Sequence, residues 1–322
     1  MFVKNEPHQK PKLRLSPTSK KVLLTLLYHE VFSYPLTLAE IHQRINIVDL
    51  SISQLNETVD QLVELELLQK IEGFHLIKWR PDWISKRKLA NSRSKRMEPK
   101  ALRRARLIAK FPFVRAVFFS GTFAKGLMTM DSDIDFFIIT AEDRLWLART
   151  LLILYKKIFL LNSRKFFCVN YFIDETRLLI EEQNLFTATE IATLRPAFGK
   201  KIYEAFRRTN SWVEKYYPNF SSRSVLSKEM KKARIKSALE FLFSGTVGMR
   251  MDAFFFKKTL LFWKRKFDWM DEDTFQIALK SKTYVSKHHP NNFQNRVLRK
   301  YHFAIEEFEK LHDVRVRLLD VA

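Results

Sequence analysis

The clearest hydrophobic pattern lies in the middle of the chain, between residues 114 and 140. Residues 114–119 are mostly apolar and are β-branched or aromatic, which predicts a buried β-strand. A Ser-Gly-Thr break follows, and residues 123–127 suit a helical turn. Residues 134–140 predict a second strand. The pattern therefore predicts two strands that are joined by a glycine turn and an acidic loop.

Two further segments extend this unit. Residues 141–161 carry leucines and an isoleucine on one helical face, which predicts a long amphipathic helix. Residues 165–173 are largely apolar and predict a third buried strand. The order strand, turn, strand, helix, strand predicts an α+β fold in which helices flank a small sheet.

The N-terminal part has a different pattern, which we assign to a separate domain at residues 18–85. Helical periodicity predicts three helices, with Thr37 capping the second and Ser51 or Ser53 capping the third. The helices are predicted at residues 20–29, 38–45 and about 51–67. Residues 68–79 alternate around a Glu-Gly pair and predict a hairpin. Three helices followed by a hairpin resemble a winged helix-turn-helix domain.

The charge of the third predicted helix bears on what such a domain would bind. In a winged helix that reads DNA, this helix enters the major groove. The exposed face is expected to consist of Asn56, Glu57, Asp60, Glu64 and Glu66. No Lys or Arg occurs between Ser51 and Gln69, so this face repels phosphates. The sequence favours a contact with protein or with another domain over a DNA-binding regulator.

The overall charge is strongly basic. The chain has 57 Lys and Arg against 35 Asp and Glu, a net charge of +22, which implies an anionic partner such as nucleic acid, nucleotide or an acidic membrane. Residues 86–110 are assigned to a basic connecting helix, in which Glu98 is the only acid. The helical pattern is clearest after Pro99. Its cations are Lys86, Arg87, Lys88, Arg93, Lys95, Arg96, Lys100, Arg103, Arg104, Arg106 and Lys110. This helix is either a solvated connector or an anion-binding rim.

The two ends of the chain predict different structures. Residues 1–17 are basic and contain three prolines, which is typical of a disordered tail. Residues 221–322 predict a basic, helical C-terminal domain. Within it, residues 254–269 mix aromatics with cations, so the segment could stack on bases, lie on a membrane, or be a core helix with a basic outer face. The last interpretation is favoured.

Several function classes are excluded or disfavoured by composition. A single cysteine excludes a disulfide framework and a Cys-rich zinc site. The first residues lack the apolar core of a signal peptide, and no uncharged run is long enough to cross a bilayer. We therefore expect a soluble, cytoplasmic protein without a transmembrane segment, although peripheral membrane contact stays open.

The candidate chemistry lies between the first two central strands. Asp133 and Asp135 are two residues apart at the mouth of a strand, so their side chains point the same way. They are expected to lie near the Gly121-Thr122 turn. Two carboxylates with water suit Mg²⁺, and free N–H groups at a glycine turn favour an anion. The pattern predicts a metal–triphosphate site.

This stretch resembles the catalytic signature of the DNA polymerase β-like nucleotidyltransferase superfamily, in particular of its minimal members. The signature is a Gly-Ser pair after a strand, about ten residues, and Asp-x-Asp at the next strand. Here it is Gly121-Thr122, ten residues, and Asp133-Ile134-Asp135, with threonine for serine. The resemblance covers about thirty residues and implies a small mixed sheet in a nucleotidyltransferase domain, placed at residues 111–220.

The resemblance also implies roles. The enzyme would move a nucleoside monophosphate from a nucleoside triphosphate to an acceptor hydroxyl, with Asp133 and Asp135 holding one or two Mg²⁺ ions. The nucleotide-binding set would be Ser120, Gly121, Thr122, Lys125 and Gly126. Lys125 either reaches a terminal phosphate or is an ordinary exposed lysine. The basic connector favours a polyanionic acceptor or regulator, with nucleic acid as the leading candidate.

One position departs from the family pattern. Many members carry a third carboxylate in the third strand, where this chain has Asn170. Asp174 has the same strand parity but lies about 13 Å further along, at a rise of about 3.3 Å per residue. Asp131 is another candidate helper or a loop-capping residue. If Asn170 completes the catalytic set, a metal-lowered pKa of the acceptor hydroxyl could substitute for a base. The alternative is a catalytically weak or inactive nucleotide- or RNA-binding protein on the same fold.

Overall fold

The computed structural model describes residues 14–163, 165–220, 224–226 and 234–317. Of the tail predicted at residues 1–17, residues 1–13 lie outside the described range, and Pro17 is the first residue of a helix. The described residues form two compact units. One contains the residues up to Ile84 together with those from Val297 onward, and the other is Ser85–Arg296.

The smaller unit contains the three helices and the hairpin that the sequence predicts. Thr37 and Ser51 both form capping boxes, with Glu40 and Gln54 respectively, so the cap of the third helix is Ser51 and not Ser53. Glu72 and Gly73 have φ values of 50° and 77°, the left-handed pair that a tight hairpin turn needs. The elements are α1 Pro17–Glu30, β1 Leu36–Thr37, α2 Leu38–Arg44, α3 Ile52–Glu64, β2 Gln69–Ile71 and β3 Phe74–Leu76, with strand order β1-β3-β2.

The helix α4 (Pro81–Ala109) differs from its prediction. The sequence places a connecting helix at residues 86–110, with its helical pattern after Pro99, whereas one helix of 29 residues continues through this proline. Small residues form a buried stripe on both sides of Pro99, including Ala90, Ala101 and Ala105, and this packing offsets the hydrogen bond that the proline removes. Alanines give a weak hydrophobic pattern, so the sequence did not reveal the first half of the helix.

The larger unit is built around one mixed sheet. The six strands have the order β7-β4-β5-β6-β9-β8, in which β5 and β6 are parallel and the other pairs antiparallel. The strands are β4 Val114–Ser120, β5 Asp135–Thr140, β6 Cys168–Asp174, β7 Arg195–Phe198, β8 Ser281–Lys282 and β9 Val285–Lys287. The helices are α5 Gly121–Ala124, α6 Leu145–Phe159, α7 Leu185–Thr193, α8 Lys200–Thr209, α9 Arg234–Leu242, α10 Gly245–Lys266 and α11 Glu272–Ala278. The last helix, α12 Phe293–His312, belongs to the smaller unit from Val297 onward.

Both faces of this sheet are covered. Alternate residues of β4 belong to two different clusters, with Val117 and Phe119 on one face and Ala116 and Phe118 on the other. The first cluster includes buried residues of α4, α6 and α11, and the second includes buried residues of α7 and α8. The α+β class with a small mixed sheet and flanking helices is therefore confirmed.

The C-terminal segment predicted as a helical domain at 221–322 is shared between the two units. The short strands β8 and β9 extend the central sheet, because β9 pairs with β6 with Lys287 opposite Tyr171. Residues up to Arg296 accordingly belong to the larger unit. These strands are only two and three residues long, which is too short for an alternating pattern to predict a strand.

Two polar side chains hold α10 against α6 by capping backbone groups. Asp252 of α10 accepts a hydrogen bond from Leu147 N (2.8 Å) in the first turn of α6. In return, Arg144 donates to the carbonyl oxygens of Phe243 (3.1 Å) and Gly245 (2.9 Å), beside the start of α10. The free N–H groups of one helix are thus satisfied from a distant part of the chain.

Asp252 makes stability depend on pH. Burial raises the pKa of this carboxyl to about 7, against about 3.9 in an unfolded chain. Between these values the folded state holds a proton that the unfolded state lacks, so the unfolding free energy falls as pH rises. The slope is at most about 1.4 kcal/mol per pH unit.

Asp252→Asn should remove this slope while keeping an oxygen acceptor for Leu147 N. Thermal unfolding of both proteins between pH 5 and pH 8 measures the effect. We expect the variant to gain stability relative to the parent as pH rises, and parallel curves would contradict the assignment.

Within the described part of the chain, no helix is both long and apolar enough to cross a membrane.

Candidate active site

The site forms where β4 ends and β5 begins. Ser120, the last residue of β4, pairs with Asp135, the first residue of β5, so the turn that follows Ser120 lies beside the Asp135 carboxylate. Gly121 opens that turn with φ 61°. A Cβ added to Gly121 would overlap Asp135 Oδ2 and lie 3.2 Å from Asp135 Cγ. Only glycine fits both the backbone conformation and the space.

Asp135 lies in a crowded, largely dry environment. Asn170 Nδ2 donates a hydrogen bond to its Oδ1 (3.0 Å), and Cys168 lies opposite it on the parallel strand β6. Burial raises the pKa of Asp135 to about 6, while a hydrogen bond from the Cys168 thiol opposes the shift and the negative charges of Asp133 and Glu190 add to it. A carboxylate held near other carboxylates in this way favours a cation.

The other acidic residues of the loop are more accessible. Asp133 is half-buried and is separated from Asp135 by the fully buried Ile134. Its negative charge contributes to the raised pKa of Asp135, so the two carboxylates are close enough to interact. Asp131 is exposed on the loop before them.

The structure places Asn170, and not Asp174, beside Asp135. The pairing of β5 with β6 shifts between Phe136 and Phe137, at the level of Asn170. Asp174 pairs with Thr140 at the far end of β5. Its carboxylate accepts hydrogen bonds from Asp143 N (2.9 Å) and from the backbone and hydroxyl of Thr176 (2.7 Å each), which stabilises loops away from the site.

Lys125 and Gly126 follow the turn and are both held in place. Lys125 forms an ion pair with Glu190 of α7, so it is not an ordinary exposed lysine. Gly126 has φ 74°, and its carbonyl oxygen accepts a hydrogen bond from Asn91 Nδ2 of α4 (2.6 Å). The basic helix α4 therefore reaches the loop that carries the site.

The donors present fit a hard divalent cation. Asp133 and Asp135 supply carboxylate oxygens, and Asn170 Oδ1 is buried without a hydrogen-bond partner among the described residues. Within the same residues, no cluster of three or more His, Cys, Asp or Glu side chains is close enough to enclose a metal. Two carboxylates and an amide oxygen are donors that suit Mg²⁺, for which substrate and water commonly supply the other ligands.

Comparison with protein families identifies the domain that contains this site. The model of the nucleotidyltransferase domain matches residues 102–215, which include β4, the Gly121 turn, Asp133, Asp135 and Asn170. Residues 102–215 are a nucleotidyltransferase domain. The match confirms the resemblance to the polymerase β-like superfamily, whose members typically use a nucleoside triphosphate and a divalent metal. No curated protein and no solved structure matches the chain.

Residues outside the nucleotidyltransferase domain also approach its site, and sequence reasoning missed them. His288 N, just after β9, donates to Asn170 O (2.8 Å). Burial lowers the pKa of Lys287, and burial together with the charges of Lys287 and Lys125 lowers the pKa of His289 to about 4. Nothing in the sequence of the run at residues 287–289 connects it with the strands at residues 114–140.

Proposed function

We propose that this protein is a Mg²⁺-dependent enzyme that transfers a nucleoside monophosphate from a nucleoside triphosphate to an acceptor hydroxyl. The observation that carries the proposal is the Asp135 carboxylate seated over the Gly121 turn in a nucleotidyltransferase domain. The glycine turn lets a phosphate approach the backbone, and the carboxylates lie where a phosphate-bound cation would need ligands.

Each residue around the turn has a different role in binding the triphosphate. Gly121 keeps the backbone N–H groups accessible, and the exposed hydroxyl of Thr122 can donate a hydrogen bond to a phosphate oxygen. Asp133 and Asp135 would hold Mg²⁺, which when bound neutralises charge on the phosphates. Lys125 supplies a cation whose position is fixed by Glu190.

Asn170 acts by position, because an amide cannot accept the proton of the acceptor hydroxyl at neutral pH. Its Nδ2 fixes the orientation of Asp135 through the 3.0 Å hydrogen bond to Oδ1. Its Oδ1 has no partner among the described residues and can accept a hydrogen bond from the acceptor hydroxyl or from a metal-bound water.

Asn170, which stands where many relatives have a carboxylate, supports a second candidate function. The protein would then bind nucleotides without appreciable turnover. A screen of the four nucleoside triphosphates, with pyrophosphate release as the readout, separates the two. For an enzyme we expect turnover by the parent chain and a loss of about 10- to 100-fold in Asn170→Ala, since a hydrogen bond to a charged group is worth about 1.5–3 kcal/mol.

Asn170→Asp is the informative comparison. If the parent gives only background release and this variant gains turnover, the protein is an inactive relative of the enzymes and the proposal is wrong. Thermal shifts with Mg²⁺ and each triphosphate would then still report nucleotide binding.

We further propose a polyanionic acceptor or regulator, with nucleic acid as the leading candidate. Arg103 and Arg106 are exposed on α4 and Arg104 is half-buried, on the helix that leads into β4. Each phosphate contact adds about 0.7–0.9 to the salt slope of binding.

Replacing Arg103, Arg104 and Arg106 with Gln should flatten the salt slope of RNA or DNA binding by about two to three units. Triphosphate affinity should stay nearly unchanged. A matched control replaces the exposed Lys201, Arg208 and Lys215, which removes the same charge elsewhere in the larger unit. Equal slopes for both triple variants would mean that α4 is only a solvated face.

For the smaller unit, the winged-helix resemblance remains a proposal. Glu57, Glu64 and Glu66 are exposed on and just after α3, and Asp60 forms an ion pair with Lys70 (3.0 Å). The remaining acidic surface supports a contact with protein over the reading of DNA.

A further inference from the structure

The outer face of α10 carries large apolar side chains in solvent. Val247, Phe254 and Leu261 are seven residues apart, about two helical turns, so they lie along one line of the helix. Phe262 lies next to this line and Trp269 follows the end of the helix. Phe254 is 54% exposed and Phe262 is 60% exposed. Exposed apolar groups that recur along one face mark an interaction surface.

Within the described part of the chain, the side chains of this face are exposed and not packed in a core. The opposite side of α10 already packs against α6, where the Trp146 ring lies 5.0 Å from that of Phe256 and 6.3 Å from that of Trp263. The interpretation of this segment as a core helix with a basic outer face therefore does not account for its exposed apolar side chains.

The preceding helix adds to the exposed apolar surface. Ile235, Phe241 and Leu242 of α9 are exposed, with Phe241 82% exposed, and α9 ends only three residues before α10 begins. The exposed apolar surface of α9 thus includes both aliphatic and aromatic side chains.

The same face of α10 is cationic. The only acidic residue of α10 is Asp252, which is buried and caps α6. Lys258 Nζ lies 5.5 Å from the centroid of the Phe254 ring, and Lys266 Nζ lies 5.9 Å from that of Phe262. The exposed cations are Arg250, Lys257, Lys258, Lys264, Arg265 and Lys266. Apolar groups that alternate with long cationic side chains are typical of a helix lying in the interface of a bilayer.

We propose that the face of α10, here called the aromatic–cationic face, binds the surface of an anionic lipid membrane. Lipid matches both components, because acyl chains accept the apolar side chains and anionic headgroups accept the cations. Nucleic acid matches less well, since Val247 and Leu261 cannot stack on bases. A second copy of the chain matches less well too, because a two-fold interface would bring these cations together.

The proposal is independent of the proposed transferase activity. It would place the nucleotidyltransferase domain at a membrane surface without a spanning segment, which agrees with the lack of a spanning helix among the described residues.

Co-sedimentation of the full chain with vesicles tests the proposal. We expect binding to vesicles that contain phosphatidylserine, weak binding to pure phosphatidylcholine, and weakening by salt. Phe254→Ser with Phe262→Ser should reduce partitioning by about 100-fold, since each buried aromatic contributes about tenfold or more. Thermal stability should stay unchanged because both side chains are exposed.

The matched control is Phe303→Ser with Leu311→Ser on α12, where Phe303 is 62% exposed. Equal effects of the two double variants, or no binding to anionic vesicles, would overturn the proposal. If the parent does not bind vesicles and the Phe254 and Phe262 variant instead loses RNA binding or self-association, the face binds nucleic acid or a second copy of the chain.

Discussion

Asp135→Asn should lower turnover by about a thousandfold or more. The substitution removes a carboxylate that would hold Mg²⁺ at the Gly121 turn, and charge stabilisation by such a metal is worth several kcal/mol, where about 1.4 kcal/mol is tenfold in rate. The fold should survive, because Asn fits the same space. Burial raises the pKa of Asp135, so a neutral side chain costs less to bury than the ionised one.

Turnover and thermal stability should therefore move in different directions. Steady-state pyrophosphate release measures the first, and thermal unfolding without nucleotide measures the second. Asp131→Asn is the control, since Asp131 is an exposed carboxylate on the same loop and its replacement should leave turnover within a few-fold. If both variants retain full activity, Asp135 is not a ligand and the assignment fails.

Gly121→Ala should lower turnover by at least about 100-fold. An alanine Cβ would overlap Asp135 Oδ2, so either the turn or the carboxylate must move. A displacement of about 1 Å in a catalytic group can cost about 100-fold in rate. The left-handed backbone adds a cost in stability of about 1–2 kcal/mol.

Gly245 offers a closely matched control for this substitution. It has φ 64° against 61° for Gly121, lies in the same unit, and has nothing within 4 Å of an added Cβ. Denaturant unfolding and turnover should be measured for both alanine variants. Gly245→Ala should show only the backbone cost and keep its activity. Equal behaviour of the two variants would show that the overlap with Asp135 does not matter.

The central part of the site could be predicted because its signal is local. Gly121, Asp133 and Asp135 lie within fifteen residues, and their spacing, together with the apolar runs on both sides, defines two strands and the turn between them. The capping boxes at Thr37 and Ser51 and the Glu72-Gly73 hairpin are local in the same sense.

The missing parts depend on contacts between distant residues. Whether Asn170 or Asp174 faces Asp135 is decided by the register of β5 with β6, including the shift beside Asn170, and a register cannot be derived from either strand alone. His288 contacts Asn170 only because β9 joins the sheet more than 100 residues after β6. No periodicity connects such segments.

The net charge of +22 likewise does not indicate which cations are available to a ligand. Arg115 forms an ion pair with Glu240 (2.8 Å), and Lys280 forms one with Glu182 (2.9 Å). Such cations contribute to the fold, whereas Arg103 and Arg106 of α4 and Arg250 and Lys257 of α10 are exposed at the surface. Only the three-dimensional arrangement separates the two groups.

The fate of the individual phosphates tests nucleotidyl transfer most directly. The protein would be incubated with Mg²⁺ and triphosphates labelled in parallel at the α- or the γ-phosphate, with RNA as an acceptor and water as the default acceptor. We predict that the α label is transferred to the acceptor, or released as nucleoside monophosphate, while the γ label leaves as pyrophosphate. Both products should disappear in Asp135→Asn. Transfer of the γ label to the acceptor, or release of inorganic phosphate and nucleoside diphosphate, would contradict the proposed reaction.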